Sequence, residues 1–210
     1  MKLTIAYQDR YSRAQLLLRT VFGWLYIGVP HALLLLVVGI WSVIRAFVAF
    51  WVILFTGHFP RGIFDWQLEY LNWGLRVIAV FSNLVDGWAE FFPGGTSEKV
   101  RLDVEYPPRA EWWSVLLRGL FGPVYAGIPH GIYLIGRLAV SIVLAFLAWW
   151  AVLITEEYPK AWHAFNVGTL RMFYRLLLYL GFFTNEYPPF TGREYPGEAA
   201  DGRTATPKLI

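Results

Sequence analysis

Two histidines occupy matching places in this chain: His31 and His130 each follow a proline and each open a long apolar stretch. One imidazole per stretch is the residue type that a paired metal or haem site uses. The spacing speaks against such a site, because neither histidine has a second ligand four residues on and the chain has no Cys. No metal and no cofactor is therefore expected, and a ring bonded to a backbone carbonyl or a lipid headgroup is the plainer reading. Arg76 and Arg175, with Arg171 one turn earlier, interrupt apolar helical patterns. An ionisable residue in such a place needs a partner, for which Asp65, Glu69, Glu156, Glu157 or a lipid phosphate are the candidates. Arg45 stands halfway along one apolar run, where its counterpart in the other is Leu144; it must face a polar cavity, snorkel outward or meet another protein, the preferred reading. Arg19 and Arg118 lie among leucines of shorter segments, where an arginine on the wet side reaches headgroups. Contact with lipid or with a partner is thus the chemistry expected of Arg19, Arg118, Arg45, Arg76, Arg171, Arg175, His31 and His130. No phosphate loop and no pairing of a nucleophile with a base can be found, so no catalytic residues are expected and the chain does not read as an enzyme.

The elements that carry these residues are apolar. Of the 210 residues 57% are hydrophobic and only 16% are charged, and the mean hydropathy is +0.44, well outside the habit of a water-soluble domain. Eleven Trp, twelve Tyr and sixteen Phe suit a membrane–water boundary. The net charge of +3 is dispersed beside apolar segments, which favours anionic lipid headgroups over nucleic acid as a partner. The first residues lack an apolar core and a small-residue cleavage site, so no cleaved signal peptide is expected.

Comparing each residue with the one 99 positions later needs no gap from Leu3 to Pro60 and yields 21 identities over 58 positions. Shared apolar content would match Leu and Ala; it would not match Arg10/Arg109, Arg19/Arg118, Gly28/Gly127, Pro30/Pro129, His31/His130 and Pro60/Pro159. The chain reads as two tandem repeats, 1–98 and 99–190, followed by a tail, 191–210, expected to be extended or disordered. Arg19, Pro30-His31, Trp51, Phe55-Thr56-Gly57 and Pro60, repeated as Arg118, Pro129-His130, Trp150, Thr155 and Tyr158-Pro159, then Arg171, Arg175 and Tyr187-Pro188-Pro189-Phe190, resemble the domain of unknown function 4389. That resemblance implies a bacterial or archaeal membrane protein and no catalytic residues. The first repeat departs from the pattern at its end, where Phe91-Phe92-Pro93 is aligned with Tyr-Pro-Pro-Phe.

Each repeat is expected to contain a short strand, an interfacial helix, a transmembrane helix and a second amphipathic or transmembrane helix, giving a mainly α membrane protein with a small two-stranded β element. Period-two alternation marks the strands around Leu3 and Leu102. The interfacial helix, 12–27, ends at the break expected at Gly28-Val29-Pro30. The apolar runs 31–55 and 130–154, each about 37 Å long as helices, can cross a bilayer. The stretches 64–85 and 163–183 have the length but carry charges. Lys and Arg crowd the repeat starts and the tail, against Arg61 and Lys160 alone in the loops between the two helices of each pair. The positive-inside bias then favours four crossings in the cell inner membrane, with both termini cytoplasmic and parallel repeats, over one crossing per repeat with the repeats inverted. The function expected is that of a scaffold or accessory subunit bound to other membrane subunits or to itself; a small transporter or channel, or a lipid-binding protein, is the alternative.

Overall fold

The protein, described as a computed structural model over residues 1–92, 94–95 and 97–194, is built around two long helices. α1 (Arg13–Gly23) passes through a π turn (Trp24–Gly28) into α2 (Val29–Thr56), making one helix of 44 residues. α4 (Trp112–Gly122) does the same through Pro123–Gly127 into α5 (Ile128–Thr155). The expected break at Gly28-Val29-Pro30 does not occur, and 12–27 is not a separate interfacial helix. Pro30 has no N–H, and in a regular ladder its ring would press on the carbonyl one turn back. The π turn opens the ladder at that point, with the Val29 N–H reaching back five residues to Trp24 and the Ile128 N–H to Pro123.

Both long helices end in a left-handed residue, Gly57 (φ 74°) in one and Glu156 (φ 62°) in the other. Pro60 and Pro159 then open α3 (Arg61–Phe81) and α6 (Lys160–Leu180), which fold back along α2 and α5. The strands β1 (Lys2–Ile5) and β2 (Val100–Asp103) pair with each other, antiparallel, with Leu3 opposite Leu102.

That register sets equivalent residues of the two halves face to face, and the same exchange runs through the molecule. The Tyr11 N–H donates to the Glu156 carbonyl and the Ala110 N–H to the Gly57 carbonyl, both at 2.8 Å. The Tyr7 hydroxyl donates to the Tyr158 carbonyl at 2.8 Å and the Tyr106 hydroxyl to that of Phe59. Every one of these bonds joins one half to the other, and the two bonds of each pair use donors, and acceptors, that are 99 positions apart.

Three layers result. α3 meets α2 through Gln67, which bonds Ser42, and through Trp73, which bonds His31. It meets β2 through Asn72, about 140° from Gln67 and about 100° from Trp73 round the helix at 100° per residue. α6 repeats the arrangement, with Thr169 against Ser141 of α5 and Arg171 against the carbonyl of Leu3. The sheet therefore lies on one side of α3 and α6, and α2 and α5 lie on the other. Leu3, Ile5, Val100 and Leu102 are buried against Leu75, Ala79 and Leu178 in the middle of the stack. Among the described residues only the helices 13–56 and 112–155 are long and apolar enough to cross a membrane; α3 and α6 are not. The separation that four crossings require is also missing, because Gly57 is bonded beside Ala110 and Glu156 beside Tyr11. The loops expected across the bilayer from the repeat starts are next to them. Most of the tail, 195–210, lies outside the described residues.

Candidate functional site

The arginines from the sequence are gathered on the inner side of the helix stack. Arg19 projects from α1 into the turn after α3, where its Nη1 donates to the Val80 and Val85 carbonyls at 2.7 Å and its Nη2 to Asp86 at 2.6 Å. Arg118 reaches the equivalent turn after α6, with Thr184 (2.6 Å) and Asn185 (3.3 Å) as acceptors. Its guanidinium also lies over Tyr179 and Phe182. Both side chains are buried, so each clamps a helix end from inside and neither lies on the wet side of an interfacial helix.

Arg45 and Arg137 share a contact without sharing a position. Arg45 lies 4.6 Å over Trp66 and 5.5 Å over Trp41; Arg137 lies 4.3 Å over Phe165 and donates to the Phe165 carbonyl at 3.1 Å. Trp66 and Phe165 are 99 residues apart, whereas Arg45 and Arg137 are not equivalent. Arg137 interrupts the apolar run 130–154 as Arg45 interrupts 31–55, with Val38 as its counterpart, and the sequence reading missed it. An arginine paired with an aromatic residue of the following helix was the signal that could have found it.

The histidines are ring spacers. The Trp73 indole donates to Nδ1 of His31 at 3.0 Å, and Phe91 stacks on the imidazole at 4.2 Å. His130 has both ring nitrogens on carbonyls, Ala126 at 2.9 Å and Pro188 at 2.8 Å, and Phe190 stacks at 3.9 Å. Trp88 and Tyr187 complete the two cages. The true counterpart of Tyr187-Pro188-Pro189-Phe190 is therefore Trp88-Ala89-Glu90-Phe91, and the alignment to Phe91-Phe92-Pro93 is corrected. Carrying the offset of 99 past Pro60 was enough to find it. Among the described residues no group of three or more His, Asp or Glu is placed to hold a metal.

The last pair diverges. Arg175 donates to the carbonyls of Thr191 and Arg193 at 2.9 and 3.0 Å, and Arg171 to Gly192, to the Glu194 carboxylate and, more weakly, to Leu3. The chain after Phe190 thus lies across α6 and fills these guanidinium groups with its own oxygens. Arg76, the counterpart of Arg175, is as deeply buried but makes no hydrogen bond or ion pair with a described residue. It borders a cavity of about 460 Å³ shared with Asp65, Glu69, Asn72, Arg101 and Asp103. Asp65 and Glu69, expected as its ion-pair partners, share the cavity without closing a pair; Glu156 pairs instead with Arg13 at 3.5 Å. Asn72, the counterpart of Arg171, takes the place of a clamp on the sheet: it accepts from the Leu102 N–H at 2.7 Å and donates to the Leu102 carbonyl at 2.8 Å. Nothing in these sites brings a nucleophile to a base. They hold segments together and, at Arg76, offer a mixed-charge hollow. Compared with protein families, curated proteins and solved structures, the chain matches none.

Proposed function

We propose that this chain is an integral protein of the cell inner membrane, formed by tandem duplication of a unit of about a hundred residues (1–98 and 99–190), and that it works without catalysis as a scaffold or accessory subunit of a larger membrane assembly. One observation carries the membrane reading. In the most apolar windows of the two long helices only 6% and 11% of the residues are buried. A long core helix of a water-soluble protein buries such residues; here Leu33, Val37, Ile44, Phe47, Ile135 and Phe146 stand exposed. The crowding of Lys and Arg near the repeat starts supports cytoplasmic termini. The scaffold reading draws on the buried Arg19, Arg118, Arg171 and Arg175, which hold helix ends, a strand or the segment after Phe190 of their own chain. Lipid binding is the second reading, favoured by Arg76, which pairs with no described residue and borders the cavity.

The test is extraction of the native protein in mild detergent, followed by size measurement and mass spectrometry of what remains bound. Fixed stoichiometry with other membrane subunits is the expected result. A lone monomer or homo-oligomer sinks the accessory reading, and lipid lost on Arg76→Ala would favour the second.

A further inference from the structure

The layering decides how the molecule meets a bilayer. α2 lies antiparallel along α3, with His31 beside Trp73 and Ser42 beside Gln67. The middle of α3 is bonded on its other side to Leu102, whose strand neighbours Arg101 and Asp103 have side chains 69% and 43% exposed. If α2 stood upright in a bilayer, α3 would stand upright with it, and Arg101 and Asp103 would be exposed near mid-depth. A charge there costs roughly 2.5–3.5 kcal/mol on insertion scales. Laid flat, the same stack puts every charge of the sheet on the far side of α3 and α6 from the lipid.

The exposed side chains agree with the flat arrangement. Leu33, Val37, Ile40, Ile44, Phe47, Trp51 and Phe55 lie on one half of the circumference of α2, and His31, Ser42, Ala49 and Ile53 face inward. α5 exposes Ile132, Ile135, Ile142 and Phe146 in the same way, and α1 and α4 extend the face with Leu18, Phe22, Leu117 and Phe121. Arg45 and Arg137 point from this layer toward Trp66 and Phe165 of the layer behind. A helix is about 10 Å across and one leaflet holds about half of a 30 Å hydrocarbon core, so one layer of helices fits within one leaflet.

Resting on the membrane reading above, the geometry points to monotopic insertion: α1, α2, α4 and α5 lie in the plane of a single leaflet, the cytoplasmic one, and no segment of the described chain crosses. The occupant of the apolar face is acyl chain. The chain has no Cys, so single-cysteine variants can be made without a background thiol. Arg10→Cys, Arg61→Cys, Arg109→Cys and Lys160→Cys sit at exposed positions, and Val37→Cys and Ile135→Cys on the apolar face. Each is treated with a membrane-impermeant maleimide in right-side-out and in inverted membrane vesicles, after a sedimentation check that the protein remains with the vesicles. In-plane insertion gives labelling of all four charged-site variants in inverted vesicles only, and loss of labelling at positions 37 and 135 in both preparations. Opposite sidedness of position 61 from 10, or of 160 from 109, overturns it in favour of crossing helices. A protein that stays with the vesicles yet labels at 37 and 135 overturns it too, with a water-filled face in place of lipid. A protein found in the supernatant, as a face covered by a second copy would produce, removes the membrane reading itself.

Discussion

The two halves reach the same contacts with different chemistry, and the differences collect where each arginine finds its acceptor. In the first half Arg19 closes on a carboxylate, Asp86; in the second Arg118 closes on an amide, Asn185, and adds the faces of Tyr179 and Phe182. In the first half Arg76 borders a cavity; in the second Arg175 is capped by the chain itself. Matching places in the two halves supply the position of a clamp, and the local acceptor decides its strength.

The largest effect expected from breaking this comparison is at Arg19. Removing it in Arg19→Ala leaves Asp86, little exposed, without its counter-charge, a change that typically costs about 3–5 kcal/mol. Arg118→Ala strands a neutral amide and a carbonyl and should cost about 1–3 kcal/mol. Unfolding of both variants in the same detergent, followed by circular dichroism, checks the order; equal losses would mean that the ion pair adds nothing over the amide. Next comes Arg175→Ala, expected to cost about 1–3 kcal/mol through the orphaned carbonyls of Thr191 and Arg193. Arg76→Met, by contrast, should be within about 0.5 kcal/mol of neutral or stabilising, because no described acceptor loses a donor.

The smallest effect concerns alkaline pH and separates the two ends of the stack. Burial pushes the phenols of Tyr11 and Tyr158 above their usual range, whereas Ala110 and Phe59 occupy the equivalent places at the other end. A phenol whose folded pKa is raised favours the folded state below the unfolded pKa, and that stability is lost as pH climbs above about 10. Amide exchange should therefore quicken with pH first around Tyr11 and Tyr158, and Tyr11→Phe should flatten the dependence; simultaneous loosening at Ala110 would refute it.

Much of the architecture was legible. The apolar runs 31–55 and 130–154 anticipated the two long helices, and the alternation around Leu3 and Leu102 anticipated the strand pair. What the sequence could not supply was the partner of each element. Pro30 looked like a break because a π turn is not written in residue types. Asp65 and Glu69 looked like partners of Arg76 because they share its helix, while the oxygens that satisfy its counterpart come from Thr191 and Arg193, beyond the repeat. Left-handed geometry was hidden where no glycine marks it: Glu156 and Phe182 hold positive φ at the places matching Gly57 and Asn83, although only Gly and Asn suit it. The cross-half bond from Tyr11 to Glu156 keeps the backbone there after the residue has changed.

The strand pair has a consequence for the order of events during synthesis. β1 is made before β2 and α6, yet its neighbour is β2 and the side chain that bonds its Leu3 carbonyl is Arg171, 168 residues later. At 5–20 residues per second that delay is on the order of 10–30 s. β1 is thus among the last of these elements to be locked, and until then its backbone edge stands unpaired.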